Sequence, residues 1–299
     1  MPKLNFAKVL FAYKMTQLAS LNIKRCHGLG NVILLLPVLD YLFERGTAIC
    51  LVTREEWIEA FSAIRPHFSI VTGTEDPVVD LDRTTSELYP SQHRSDELAG
   101  MLGIDEPIRS LVIDRIPSRW GRPFTPLRDC IILAPEAQHA SRCWPVENCD
   151  RIKELFPGDQ LVLVGVDKEP LIRCDVDLRG QLSLSELFGV LSVGKLVISM
   201  DSAILHIAAA LMLPTVAIFG GVDARYRIRP DQPVVALQSS MSCCPCNKRE
   251  DCEERYDCIK TISADHVYQA AQLALDAQGF IDFYRAVDLC QSGMINYTG

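Results

Sequence analysis

Leu196-Val197-Ile198-Ser199-Met200-Asp201-Ser202, followed by an apolar stretch Ala203 to Leu213 that carries His206, then Pro214 and Thr215-Val216-Ala217-Ile218-Phe219-Gly220-Gly221, is the segment that decides the fold. A strand-length apolar run, a helix-length apolar run and a second strand-length run in succession make a strand–helix–strand unit of a parallel sheet. Ser202 stands where an N-cap belongs, Asp201 lies just before the helix, and His206 falls in its early turns. Polar groups thus collect at the carboxyl end of a strand, the place where open α/β sheets bind ligands. Taken by itself the segment also reads as a capped core helix with one hydrogen-bonded histidine.

Outward from this unit the pattern repeats. Strands are expected at Ala48–Val52, Ile131–Leu133, Leu161–Val164, Leu196–Ile198 and Thr215–Phe219, with helices over Val32–Arg45, Val146–Leu155, Ser183–Leu191, Ala203–Leu213 and Ser263–Ala277. Pro117 to Asp129, with three prolines and a glycine, reads as a linker. The expected fold class is therefore α/β, with two Rossmann-like lobes.

Two further loops carry chemistry. Cys26-His27-Gly28-Leu29-Gly30-Asn31-Val32 follows an apparent first strand and opens an apolar helix, so its glycines allow a tight turn at a helix N-terminus that favours anions. Ile33 stands where a dinucleotide fingerprint needs Gly or Ala, which argues against an NAD site. After Ile131–Leu133 come Ala134-Pro135-Glu136 and Ser141-Arg142-Cys143-Trp144-Pro145; a hydroxyl and a guanidinium there are suited to a diphosphate.

The chain has 299 residues and a net charge of −8 without a basic block, which argues against a non-specific nucleic-acid or anionic-membrane surface. The longest apolar run, Val32 to Phe43, is interrupted by Pro37 and Asp40 and falls short of the about 20 residues a membrane span takes. The first residues mix lysines with apolar side chains and show no cleavage pattern, so a cytoplasmic protein is expected. Five of its twelve cysteines fall between Cys243 and Cys258. Thiolates from Cys243 or Cys244, Cys246, Cys252 and Cys258 could ligate a structural zinc or iron.

Gly28-Leu29-Gly30-Asn31-Val32 with Pro37, Ser141-Arg142-Cys143-Trp144-Pro145, and Asp201-Ser202 with His206-Ile207-Ala208-Ala209-Ala210, Pro214 and Phe219-Gly220, resemble in their order the ADP-heptose:lipopolysaccharide heptosyltransferase family, glycosyltransferase family 9. The resemblance runs from about Asn22 to His266. It implies a GT-B fold with a cleft between two lobes, an acceptor-side lobe over 1–122 and a nucleotide-sugar donor lobe over 123–280 containing the cysteine-rich loop 243–258. A helix over 281–299 would return across the lobes. The implied donor is a nucleoside-diphosphate sugar like ADP-heptose, the acceptor a hydroxyl of a glycan, lipid-linked glycan or protein, and transfer inverts the anomeric centre without a catalytic metal.

By the same resemblance Ser141, Arg142, Asp201, Ser202, His206 and Gly220 hold the donor, with Arg142 in place of the family's lysine and Ala203 in place of a glycine. Glu169 is a candidate partner for ribose hydroxyls; its alternative is an exposed loop residue. Gly28 and Gly30 belong to the acceptor-side loop. Asn31 stands where the family has the aspartate that serves as general base, and an amide cannot take that proton. His27 is the leading replacement, with Asp80, Asp82, His93 and Glu136 as competitors. A catalytically silent binding protein and a nucleotide-sugar epimerase of the same fold remain as alternatives, and the first twenty or so residues could form a helix that packs on the first lobe, the preferred reading, or one that mediates self-association.

Overall fold

The computed structural model describes residues 19–76, 78–82, 92–137, 139–246, 252–276 and 294–295. The chain divides into two compact units between Leu111 and Val112. The first unit contains β1 (Ser20–Lys24), α1 (Leu29–Phe43), β2 (Ala48–Val52), α2 (Glu55–Ile64), β3 (Ser69–Val71), β4 (Val79–Asp80) and α3 (Arg94–Met101). Its strands are parallel in the order β3-β2-β1-β4, with Ile23 of β1 paired to Leu51 on one side and Val79 on the other. The chain thus leaves β1 toward one edge and later returns to its opposite side, which opens a crevice at the carboxyl ends of β1 and β4. Helix α1 buries Val32 through Leu39 and Leu42, a wide apolar face that fixes it on the sheet.

The second unit runs through α4 (Ser118–Gly121), β5 (Ile131–Ala134), α5 (Val146–Leu155), β6 (Leu161–Leu163), β7 (Val176–Asp177), α6 (Leu184–Leu191), β8 (Leu196–Met200), α7 (Ala203–Ala210), β9 (Thr215–Phe219), β10 (Val234–Ser239), α8 (Asp257–Lys260), α9 (Ala264–Asp276) and β11 (Met294–Ile295). The sheet order is β11-β10-β9-β8-β5-β6-β7, and only the β10–β11 pair among the described residues is antiparallel. β8 and β9 are buried along their whole length because the sheet is covered on both faces, which is why they read as continuous apolar runs. Ile131, Leu133, Ile198, Met200, Val216 and Ile218 pack with Ile152 of α5 and Val267, Ala270 and Ala274 of α9. The alternate residues Ala217 and Phe219 meet Leu205 of α7 in a second cluster.

The segment expected as a linker is instead helical: α4 leads into a 3-10 helix over Arg122–Leu127 with proline in its first turn. Buried Trp120 anchors it, its ring 6.0 Å from that of Phe188 on α6. Gly189 makes the approach feasible, since a Cβ there would lie 2.0 Å from the Trp120 carbonyl oxygen. This packing is the physical reason that 112–122 joins the second unit rather than the first. Helix α7 ends at Ala210, short of the expected Leu213, because Met212 turns to a positive φ of 58° ahead of Pro214. Residues 1–18 of the N-terminal segment and most of the returning helix lie outside the described residues; of the latter, Met294–Ile295 form a strand beside β10.

Candidate functional site

β5 and β8 lie side by side, Ala134 opposite Ser199, and the loops that follow them meet at the point where the strand order of the second unit reverses. The loop after β5 turns through a short 3-10 helix, Ala140–Arg142, and sends the Arg142 guanidinium to Asp201 at the end of β8. Arg142 Nη1 donates to the Asp201 carbonyl at 3.1 Å, and its Nη2 lies 3.1 Å from Asp201 Oδ2. A second guanidinium arrives from the segment after β9: Arg227 Nε stands 3.9 Å from the same carboxylate oxygen. One buried carboxylate therefore faces two arginines, an arrangement with positive charge to spare for an anion.

His206, one turn into α7, places Nε2 3.9 Å from Asp201 Oδ1. Burial pushes its pKa down to about 4, and Arg227 and Arg142 push the same way against the opposing pull of Asp201. The imidazole is neutral at pH 7. Ser202 caps α7 by accepting from the Ile204 amide at 3.2 Å, and its hydroxyl lies 3.1 Å from that of Ser199. Ser141 is buried, and its carbonyl packs against Gly220 so closely that a Cβ at Gly220 would lie 2.9 Å from it. Gly220 is thus required for close packing of two loops, and its carbonyl accepts from Gln238 Nε2 at 2.9 Å and from Cys244 Sγ at 3.0 Å.

Glu169 is exposed on the loop after β6. Arg179, fully buried, shapes that loop: it donates to the carbonyls of Lys168 and Pro170 at 3.0 Å each while its Nη2 holds Asp177 at 2.8 Å. Glu136 also serves this loop, accepting from the Asp167 amide at 3.2 Å; burial raises its pKa.

In the first unit the equivalent crevice holds Asp82, after β4. Its carboxylate accepts from the amides of Cys26 at 2.9 Å and His27 at 3.0 Å, and Arg25 Nε lies 3.8 Å away. Burial works against its charge, yet the hydrogen bonds from Cys26 and His27 keep its pKa below the usual value. His27 Nδ1 is 3.3 Å from Asp82 Oδ1, while the imidazole is 76% exposed. Gly28 has φ 73°, and a Cβ there would press on the Asn31 amide at 2.9 Å. Asn31 itself accepts from buried Arg94, Nε to Oδ1, at 3.3 Å.

Residues 122–257, which contain the whole Arg142–Asp201–His206 arrangement, match glycosyltransferase family 9 (heptosyltransferase). The match falls within the second unit. Lipopolysaccharide heptosyltransferase 3 of Escherichia coli is 26% identical over 142 residues, 41% of this chain and 42% of that protein, so the match spans less than half of the relative. Among solved structures, the family 9 glycosyl transferase of Veillonella parvula superposes with a TM-score of 0.67 at 18% identity, covering 86% of this chain and 97% of its own. TibC of enterotoxigenic E. coli, a dodecameric iron-containing heptosyltransferase solved with ADP-D-beta-D-heptose, gives 0.64 at 13% identity over 85% and 76%. At these identities the structures show the fold: α/β lobes with parallel sheets, of the GT-B type.

The second unit brings together Ser141, Arg142, Asp201, Ser202, His206 and Gly220, and leaves Glu169 on a separate loop. Sequence reasoning missed Arg227, whose only signal is a run of arginines after the glycine pair, and Gln238, a fully buried amide inside an apolar strand. Of the four-thiolate expectation, Cys244 and Cys258 face each other and Cys246 is close enough to act on Cys244 electrostatically, while no group of three or more His, Cys, Asp or Glu placed to hold a metal is found among the described residues. Cys243 is exposed, whereas Cys244 turns inward onto the Gly220 carbonyl and donates to Cys258, a hydrogen bond that lowers the Cys258 pKa. Cys252 is occupied with the Tyr256 amide, its sulfur accepting at 3.4 Å.

Proposed function

We propose that this chain transfers a heptose-like sugar from a nucleoside diphosphate to an acceptor hydroxyl, with inversion, in lipopolysaccharide-type glycan assembly. The observation that carries the reading is the pair of arginines on Asp201 at the strand-order reversal of the segment that matches glycosyltransferase family 9. As the bond from the anomeric carbon to the diphosphate breaks, charge develops on the leaving oxygens, and Arg142, Arg227 and the amides opening α7 stabilise it. Neutral His206 is suited to donate a hydrogen bond without adding charge. TibC binds ADP-D-beta-D-heptose by its structure's description, which makes ADP-heptose the first donor to test.

On this reading the first lobe presents the acceptor, a hydroxyl of a glycan, lipid-linked glycan or protein. Among the described residues no helix is long and apolar enough to cross a membrane, in keeping with work in the cytoplasm. A silent, donor-binding role is the second reading, favoured by the amide of Asn31 where a carboxylate base is expected. A thermal-shift series across ADP-, UDP- and GDP-sugars tests the proposal, because a ligand that binds only the folded form at 100 times its Kd adds about 2.7 kcal/mol. Stabilisation by ADP-heptose above the other donors, with ADP released on turnover, supports transfer; stabilisation without release supports the silent reading; no shift with any of the donors overturns both.

A further inference from the structure

The geometry points to His27 as the base that takes the acceptor proton, with Asp82 as the residue that positions it; this rests on the transferase reading above. Asn31 has no basicity to offer, and its carbonyl oxygen is engaged by Arg94 at 3.3 Å. The other candidates are committed elsewhere. His93 Nδ1 caps α3 by accepting from the Ser95 amide at 3.2 Å. Asp80 lies 3.5 Å from the Lys24 ammonium and accepts from the Asp82 amide at 3.0 Å. Glu136 belongs to the other lobe and holds the Asp167 amide. Asp82 is surrounded by N–H donors from Cys26 and His27 and by the Arg25 guanidinium, an environment that favours a fixed, ionised carboxylate over a proton acceptor.

His27 differs from all of these. Its Nδ1 faces Asp82 at 3.3 Å, so the carboxylate selects the tautomer with the proton on Nδ1 and leaves the lone pair on Nε2. The ring is 76% exposed, and Nε2 meets no partner among the described residues. Two backbone amides anchored on Asp82 and the turn at Gly28 fix where the ring stands at the mouth of the crevice between β1 and β4. In the step itself, the acceptor hydroxyl proton passes to Nε2 and the acceptor oxygen forms a bond to the anomeric carbon. That carbon's bond to the diphosphate oxygen breaks, the nucleoside diphosphate leaves with the bonding pair, and the imidazolium then returns its proton to water.

The test combines turnover with a spectroscopic readout on the full chain. With ADP-heptose as donor and water standing in for the acceptor hydroxyl, His27→Ala is expected to lower ADP release about 100-fold. ADP should still bind, and added imidazole should restore much of the rate. Nitrogen-15 NMR of histidine-labelled protein should place the His27 proton on Nδ1 in the wild type and shift it toward Nε2 in Asp82→Asn. If wild type releases ADP and His27→Ala does so at the same rate, or if His27 carries its proton on Nε2, the assignment falls while the transferase reading stands. If ADP-heptose neither stabilises the wild type nor yields ADP, the transferase reading falls and takes this one with it.

Discussion

The two lobes place an aspartate at the same topological position and surround it differently. Asp82 follows the fourth strand of the order β3-β2-β1-β4, and Asp201 follows the fourth strand of β7-β6-β5-β8. In each lobe an arginine from the loop after the first strand faces that aspartate, at 3.8 Å for Arg25 and 3.1 Å for Arg142. Beyond this shared frame the environments part. Asp201 meets a second arginine and a buried neutral histidine; Asp82 binds two backbone amides and an exposed histidine. One frame thus yields a site suited to an anion and another that presents an imidazole to solvent, because the neighbouring side chains decide the charge that a strand end can offer.

The sharpest way to break the comparison is through the two histidines. His206 titrates at 6.5 in the unfolded chain and about 4 in the folded one, so the unfolded state takes up a proton that the folded state refuses. Stability conferred by the neutral ring is full above pH 6.5 and is lost as pH falls toward 4, by about 3 kcal/mol. Urea unfolding of wild type and His206→Gln across this window should show a steep acid loss in the former and a shallower one in the latter. His27→Ala, by contrast, should leave the same curve unchanged within about 0.5 kcal/mol, since the ring is exposed. Equal acid slopes for wild type and His206→Gln would remove the distinction.

Gln238 comes next. Its amide donates to the Gly220 and Val222 carbonyls and accepts from the Ala224 amide, tying down the segment that leads to Arg227. Gln238→Ala strands these buried groups and should cost about 2 kcal/mol, measured by chemical denaturation. A smaller effect is expected for Asp82. Its carboxyl is held below its ordinary pKa, so its contribution is present above the unfolded value near 4 and is lost as pH falls through the lower folded value. Asp82→Asn should therefore flatten the acid end of the unfolding profile below pH 4; an unchanged profile would show that the amides do not rely on that charge.

Much of this frame was legible in the sequence. The runs Ala48–Val52 and Thr215–Phe219 are strands as read, and Val146–Leu155 is a helix with the expected ends, because local periodicity and tertiary packing agree there. Asp201, Ser202 and His206 were legible because the cap, the helix and the strand end are adjacent in sequence. What could not be read are contacts set by strand order: Arg227 reaching Asp201, Arg179 holding the Lys168 and Pro170 carbonyls, and Asp82 reaching His27 from 55 residues away. Prolines misled at Pro117 to Asp129, where they open short helical turns that Trp120 pins to α6. Among the cysteines, spacing alone could not tell which of the adjacent Cys243 and Cys244 faces inward.

The central claim is that the second lobe binds a nucleoside-diphosphate sugar through Arg142 beside Asp201. Isothermal titration of ADP-heptose into wild type, Arg142→Ala and Arg142→Lys tests it most directly. Loss of a charge-assisted contact worth about 1.5–3 kcal/mol should weaken binding roughly 10- to 100-fold in Arg142→Ala, with partial recovery in Arg142→Lys. Equal affinity in wild type and Arg142→Ala, or no binding to wild type, would contradict the account.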